Sequence, residues 1–184
     1  MEVKKIWYTI SGLLIYTGIN ISVAADSVDT QLFLRMDVVN VTCLINDGAG
    51  INQQVNLPLA SQAELRAGTA KSGLAKLMVD CSKNLTQPAS FEVSLAPSGG
   101  VSAVGSGVDG ILRTDLSGVA LKLVWKINGQ PASLAFGDYS KFFPSASTPQ
   151  QWDLSLLVTP QYIPGENIEK GFYKSAVKVN IIYI

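Results

Sequence analysis

Residues 176–183 alternate strictly between two sets of side chains. The apolar set is Val177, Val179, Ile181 and Tyr183, and the opposite set is Lys178, Asn180 and Ile182. A period of two places each set on one face of an extended strand, because successive side chains of a β-strand point in opposite directions. A strand that closes a chain has no following strand to pair with. We therefore expect its free edge to be covered by another segment or by another molecule.

The same alternation recurs at short intervals earlier in the chain. Its members are Val55, Leu57 and Leu59; Phe91, Val93 and Leu95; Val119, Leu121, Leu123 and Trp125; and Trp152, Leu154, Leu156 and Val158. Short strands at this spacing predict an all-β sandwich of immunoglobulin type, forming one domain over residues 38–184.

Turn and breaker residues separate these strands. Asn128 and Gly129 predict a hairpin turn after the third set, and Pro160 is expected to end the fourth. Residues 97–110 are rich in glycine and serine, which predicts a loop. Helix-favouring residues concentrate in 60–75, where two glycines limit any helix to a turn or two.

The amino-terminal residues have the layout of a secretory signal peptide. Two lysines precede an apolar stretch over residues 6–16, and residues 23–25 offer the small side chains of a cleavage site. A membrane anchor is the competing interpretation. Asn20 and Ser22 interrupt the apolar run, which falls short of the roughly 18 residues that a spanning helix needs. We expect cleavage after residues 1–25 and export of the rest.

Composition excludes several classes of function. The chain has 14 basic and 14 acidic residues and no basic block, so we expect no nucleic acid and no anionic membrane as a partner. It contains no histidine, which removes Cys–His and Ser–His catalysis and most zinc sites. The carboxylates are scattered. We therefore expect no catalytic residues, no metal site and no cofactor, and hence no enzyme.

Two cysteines, Cys43 and Cys81, are the only ones in the chain. An even count in an exported protein favours a disulfide. Closing a loop of this length is worth about 4 kcal/mol in the chain-entropy model.

The segment ahead of Cys43 is amphipathic in the strand period. One face carries Val28, Thr30, Leu32, Leu34 and Met36, and only Phe33 interrupts the polar character of the other. This segment could be an ordinary first strand of the domain. However, Val38, Val39 and Val41 already supply a strand that leads into Cys43. Residues 26–37 are therefore interpreted as an additional strand, available to another molecule.

Together these features resemble the pilin subunits of chaperone–usher fimbriae, such as those of type 1 and P pili. The resemblance covers the whole mature chain. It rests on the amphipathic extension, the Val38-Val39-Asn40 lead-in, the Cys43/Cys81 separation, Val-Asn-Leu at 55–57, Val-Asp-Cys ending at Cys81, Gly171 as the fourteenth residue from the end, and Tyr183 as the last but one.

The resemblance implies an incomplete immunoglobulin-like sandwich that a donated strand completes. A periplasmic pilus chaperone would lend that strand first, and at the outer-membrane usher the extension of a neighbouring pilin subunit would replace it. The donor face would be the set on residues 28–36 given above. The acceptor groove and chaperone-binding strand would comprise Gly171, Val177, Val179, Ile181, Tyr183 and Ile184, with the carboxylate of Ile184 as an anchor for chaperone basic residues.

One position departs from the pattern, because related extensions often carry glycine where this chain has Met36. A bulky residue there would require a matching cavity in one particular acceptor, or would mean that the register differs by two.

The favoured interpretation of the sequence is a structural subunit, a minor pilin, that supports cell adhesion from the bacterial surface. The alternatives are a single-domain adhesin for a host glycan or protein receptor and a pilus-terminating subunit. The aromatic residues of 138–144 form a sugar- or receptor-binding patch or, as we favour, a loop tucked over the sandwich edge.

Overall fold

The computed structural model describes residues 30–36, 43–84, 88–143 and 150–184. Over these residues the chain is built mainly of β-strands. The strands are β1 (Thr30–Met36), β2 (Leu44–Ile45), β3 (Gln53–Leu57), β4 (Gly73–Ala75), β5 (Met78–Asp80), β6 (Phe91–Ser98), β7 (Ile111–Arg113), β8 (Val119–Trp125), β9 (Ser140–Phe142), β10 (Gln151–Asp153), β11 (Leu156–Tyr162) and β12 (Lys174–Tyr183). One short helix, α1 (Gln62–Ala67), and a 3-10 turn over Asn46–Gly48 complete the described elements.

The strands form three sheets around one core. The largest has the order β3-β1-β12-β6-β9, the second β4-β11-β8-β7 and the third β10-β5-β2. Aromatic contacts tie the first sheet to both others: the ring centroids of Phe91 and Trp152 lie 4.4 Å apart, and those of Trp125 and Phe142 lie 5.0 Å apart. Residues from all three sheets belong to a single apolar cluster. The predicted all-β sandwich is confirmed.

The four alternating sets lie largely where the period places them. Their apolar members are buried, including Trp125 and Trp152, with one exception. Leu59 lies beyond the end of β3 and is 67% exposed. The fourth set forms two strands rather than one, because the chain leaves β10 in the third sheet and enters β11 in the second.

The expectation that Pro160 ends a strand is wrong. It lies inside β11 and pairs in register with Leu121 of β8. Proline is tolerated in a sheet where its missing N–H faces an unpaired edge. On the side of β11 away from β8, β4 pairs only with Leu156–Val158. No strand of the described chain therefore pairs with Pro160 on that side.

The other local predictions hold. α1 has two turns at most, begins with a reciprocal capping box between Ser61 and Glu64, and stops at Gly68 in the left-handed region (φ 67°). The chain turns over residues 126–128, ahead of Gly129, whose N–H donates to the Trp125 carbonyl at 2.8 Å. The returning chain makes only an isolated bridge, Val124 to Pro131. The loop predicted over residues 97–110 begins two residues later, because Pro97 and Ser98 still pair with β12 as the end of β6. From Gly99 the chain continues irregularly toward Gly110.

Cys43 and Cys81 form the predicted disulfide, with Cα atoms 4.3 Å apart. The bond joins the start of β2 to the end of β5, two strands that also pair through Leu44 and Asp80. Both cysteines are buried in the core. The predicted signal peptide (1–25), Val28 and the lead-in residues 38–41 lie outside the described residues. Among the described helices, none is long and apolar enough to cross a membrane.

Candidate strand-exchange groove

β1 occupies a slot in the middle of the largest sheet. It runs parallel to β12, from Gln31 opposite Lys174 to Met36 opposite Val179. On its other side it runs antiparallel to β3, from Thr30 opposite Leu57 to Leu34 opposite Gln53. Among the described strands, β1 is what joins β3 to the rest of this sheet. The free edge expected for the last strand is thus covered by the chain's own extension.

The side chains of β1 follow the predicted alternation. Leu32 is fully buried and Leu34 is 4% exposed, whereas Phe33 between them is 45% exposed. The backbones of Thr30 and Met36 occupy the same face positions, paired with Leu57 and Val179. The structure therefore places Leu32 and Leu34 of the predicted donor face against the core.

β12 presents its predicted apolar face to the same core. Val177, Val179 and Ile181 are buried. β1 covers this strand only as far as Val179, and residues 180–183 extend beyond its described register. On the opposite edge β6 pairs with β12 from Ala176 to Tyr183.

The outer wall of the slot is β3, which pairs with β1 and also packs against β4. A Cβ atom at Gly73 of β4 would collide with the Leu57 side chain and lie 3.1 Å from Val55. The absence of a side chain at Gly73 therefore lets β3 approach β4 closely. The alternation of Val55 and Leu57 predicted a strand but gave no sign that these residues form one wall of this slot.

Gly171 lies three residues before β12, at one end of the slot. It lines a cavity of about 270 Å³ together with Leu65 of α1, Leu116, Ile168 and Tyr173. Its φ of 156° is one that side chains with a Cβ rarely adopt, although a Cβ would meet only the Leu116 side chain, at 3.6 Å. Backbone conformation, and not lack of space, favours glycine here.

Tyr183 lies at the other end, in an aromatic cluster with Phe91 and Trp152. Its ring centroid is 5.1 Å from that of Phe91, edge to face. Burial raises the pKa of the Tyr183 hydroxyl above its ordinary value. The buried Tyr183 hydroxyl and the Trp152 indole N–H have no hydrogen-bond partner within the described structure.

The main chain of Ile184 is fixed within the molecule. Its oxygen accepts hydrogen bonds from the N–H groups of Ala89 (2.6 Å) and Ser90 (3.1 Å), and its own N–H donates to the Ser90 carbonyl at 3.0 Å. This oxygen, predicted as part of a chaperone anchor, is already engaged by two backbone donors. The chaperone contact itself stays a prediction.

Some acidic side chains of the described residues form dispersed ion pairs at the surface. Arg113 and Glu166 approach to 2.8 Å, and Lys126 and Asp153 to 2.7 Å. The hydrogen bond from Arg113 lowers the pKa of the Glu166 carboxyl. No group of three potential metal ligands occurs among the described residues.

Comparison with known proteins gives a match at the level of structure. No family model and no curated protein matches the sequence. The crystal structure of the P pilus rod subunit PapA is similar, with a TM-score of 0.58 and 13% identity, over 78% of this chain and 100% of PapA. A chaperone–usher pilus structure concerned with rod uncoiling has a TM-score of 0.62 and 16% identity, over 80% and 91% of the two chains. This chain has the pilin fold.

The pilin fold agrees with the resemblance seen in the sequence. These structures are described as a pilus rod subunit and a pilus, not as enzymes. At this level of identity the likeness concerns the fold.

Proposed function

We propose that this chain is a structural subunit of a chaperone–usher surface fimbria, polymerised by donor-strand exchange. The observation that carries the proposal is the position of β1. It is an amphipathic strand that precedes all other described strands in the sequence, yet it fills a slot between β3 and β12 in the middle of a sheet. Any strand with the same alternation fits such a slot, because backbone groups supply the pairing and alternate side chains supply the selection.

The chain's own extension and a neighbour's extension would compete for one groove. Leu32 and Leu34 each contribute about 1.5–3 kcal/mol by leaving water, so an empty groove is costly. Reversing the direction of a strand leaves its two faces unchanged, because alternation does not depend on direction. Leu32 and Leu34 can therefore fill the groove of their own subunit, where β1 runs parallel to β12. They can equally fill the groove of a neighbouring subunit, with the donated strand antiparallel to the last strand of that neighbour.

The remaining steps follow the resemblance. Residues 1–25 would direct export and be removed, and a periplasmic chaperone would hold the groove by contacts to β12 and Ile184. At the outer-membrane usher the extension of the next subunit would replace the chaperone strand. The finished fimbria would lie on the cell surface and support adhesion.

We propose the role of a minor pilin, placed at one defined junction. Met36 stands where related extensions often carry glycine, and a larger side chain there requires an acceptor with a matching cavity. This restricts the neighbours of the chain. In purified fimbriae we expect it to be far less abundant than the main rod subunit, and equal abundance would contradict the minor role.

The test is deletion of residues 26–36 in the presence of the chaperone. The truncated chain should form a folded complex with the chaperone that accepts an added peptide of residues 26–37 but cannot cap another subunit. A peptide carrying Leu32→Asp should fail to bind, because it would bury a charge in the core. A peptide carrying Phe33→Asp, altered on the outward face, is the matched control and should bind. If the truncated chain joins fibres normally, residues 26–36 are not the donor.

A further inference from the structure

The first two residues of β12, Lys174 and Ser175, differ from the rest of the strand in what lies beside them. On one edge they face the beginning of the β1 register. On the other edge β6 pairs with β12 only from Ala176 onward. The connection between β7 and β8, residues 114–118, contacts β12 where β6 does not reach. The start of the exchange groove is therefore supported by the second sheet.

Asp115 binds the main chain of Lys174 at two points. The Asp115 N–H donates to the Lys174 carbonyl at 3.1 Å, and the Lys174 N–H donates to the Asp115 carboxylate at 2.7 Å. Backbone groups of every second residue in a strand point to the same edge, and those of Ile184 bond to Ser90 on the β6 side. Lys174 lies an even number of residues earlier, so its groups point to that side too. Asp115 thus continues the β6 edge, with a carboxylate in place of a backbone acceptor.

The next residue, Ser175, bonds across the sandwich. It is buried on the inward face of β12, which is otherwise apolar from Val177 to Ile181. Its hydroxyl donates to the Arg113 carbonyl of β7 at 2.7 Å. A buried hydroxyl needs such a partner, and this bond to the second sheet accounts for serine at an inward position.

Glu166 joins the same region to the chain that leads into β12. It belongs to residues 163–173, between β11 and β12. One carboxylate oxygen lies 2.8 Å from the Arg113 guanidinium, and the other accepts a hydrogen bond from the Gly118 N–H at 3.2 Å. A Cβ atom at Gly118 would collide with the Asn167 carbonyl, so the two connections pack backbone to backbone. We call the contacts of Asp115, Ser175 and Glu166 the clasp.

We propose that Asp115 and Glu166 are positioning residues for strand exchange, which hold the start of β12 and so set how fast β1 leaves its groove. The inference rests on the proposed function. A strand is released by fraying from its ends, and the described pairing of β1 with β12 begins at Lys174 and Ser175. Without the clasp these two residues lose their support on the β6 side. The end of β1 beside them then loses its fixed hydrogen-bond partners and opens more often.

The first test compares the purified chain with two variants at Asp115. Amide hydrogen exchange of β1 reports its opening, and the anisotropy of a labelled peptide of residues 26–37 reports its replacement. Asp115→Ala should raise both rates about tenfold, through loss of a charge-assisted hydrogen bond. Asp115 is exposed, so the core should stay folded. Asp115→Asn keeps an oxygen that accepts from the Lys174 N–H and should restore most of the wild-type rates.

The second test uses Glu166 and a matched control. Glu166→Gln removes the ion pair with Arg113 and should raise both rates about threefold. Asp153 likewise binds one cation, Lys126, and accepts a backbone N–H from Ser155. It belongs to the third sheet, which does not pair with β12, so Asp153→Asn should leave both rates unchanged. The amides of β6 are the internal reference, because general destabilisation would quicken β1 and β6 alike.

Three results would overturn the proposal. The first is a rise in exchange in Asp115→Ala that is no larger in β1 than in β6. The second is an Asp115→Asn variant as fast as Asp115→Ala, since the acceptor oxygen would then have no role. The third is an equal effect of Asp153→Asn and Glu166→Gln. If the peptide never enters the wild-type chain but β1 still opens faster in Asp115→Ala, the clasp is supported and the proposed strand exchange is rejected.

Discussion

The two edges of β12 are covered in different ways. On one edge β6 pairs antiparallel from Ala176 to Tyr183 and contributes buried Phe91, Val93 and Leu95. On the other edge β1 pairs parallel as far as Val179 and contributes Leu32 and Leu34 to the core. One strand thus has a long antiparallel neighbour and a shorter parallel one.

This difference indicates which contact can be exchanged. Parallel pairing is slightly less stable per residue than antiparallel pairing. β6 is also held by β9 on its far edge, through Phe91 to Phe142 and Val93 to Ser140, and cannot leave without opening the core. β1 lies between two strands that have other supports, since β3 packs on β4 and β12 pairs with β6. We expect β1 to be replaceable and β6 to be permanent.

The largest effect should come from placing a charge on the permanent edge. Leu95→Asp puts an unpaired carboxylate in the core, and we expect it to cost more than about 4 kcal/mol, enough to abolish folding. Urea unfolding followed by tryptophan fluorescence measures this. Ser94→Asp, on the outer face of the same strand, should stay folded. A cooperative transition near that of wild type in Leu95→Asp would show that this edge is also dispensable.

The exchangeable edge should tolerate more. Leu32→Ala should lower the free energy of unfolding by about 2–4 kcal/mol while the domain remains folded. It should also speed replacement of β1 by an added donor peptide, because the resident strand has lost a buried side chain. Phe33→Ala, at the neighbouring exposed position, should change stability by less than about 0.5 kcal/mol. Equal effects of the two substitutions would mean that β1 is not seated by its leucines.

A smaller effect is expected at the wall of the slot. Gly73→Ala forces Leu57 and Val55 away from β4 and should cost about 1–3 kcal/mol, as overpacking typically does. Hydrogen exchange should quicken mainly at the amides of β1 and β3. Lys71→Ala, an exposed neighbour, is the control and should leave exchange unchanged. Unaltered exchange in Gly73→Ala would show that β3 is not positioned through this contact.

The faces of β1 and β12 could be predicted from sequence because the period of two is a local property. The pairing of β1 could not, since the alternation of Leu32 and Leu34 is the same for either direction and any partner. Pro160 fails the local rule for a related reason: its tolerance depends on which edge of β11 is unpaired. The run from Trp152 to Val158 alternates as one strand, yet tertiary packing divides it between two sheets.

The smallest effect is expected at the far end of β12. The Tyr183 hydroxyl is buried without a partner within the described structure, so Tyr183→Phe removes no hydrogen bond there and should be neutral or slightly stabilising near neutral pH.

Burial raises the folded-state pKa of Tyr183 above its ordinary value of 10.0. The unfolded chain then releases this proton first, so the stability contributed by the protonated hydroxyl is fully present below that value and is lost as the pH rises through the folded-state pKa. Tyr183→Phe should flatten this alkaline loss in urea unfolding measured over a pH series. Tyr139→Phe, which alters an exposed hydroxyl outside the core, should leave the slope as in wild type. Identical slopes in wild type and Tyr183→Phe would show that this end of the strand is open to water.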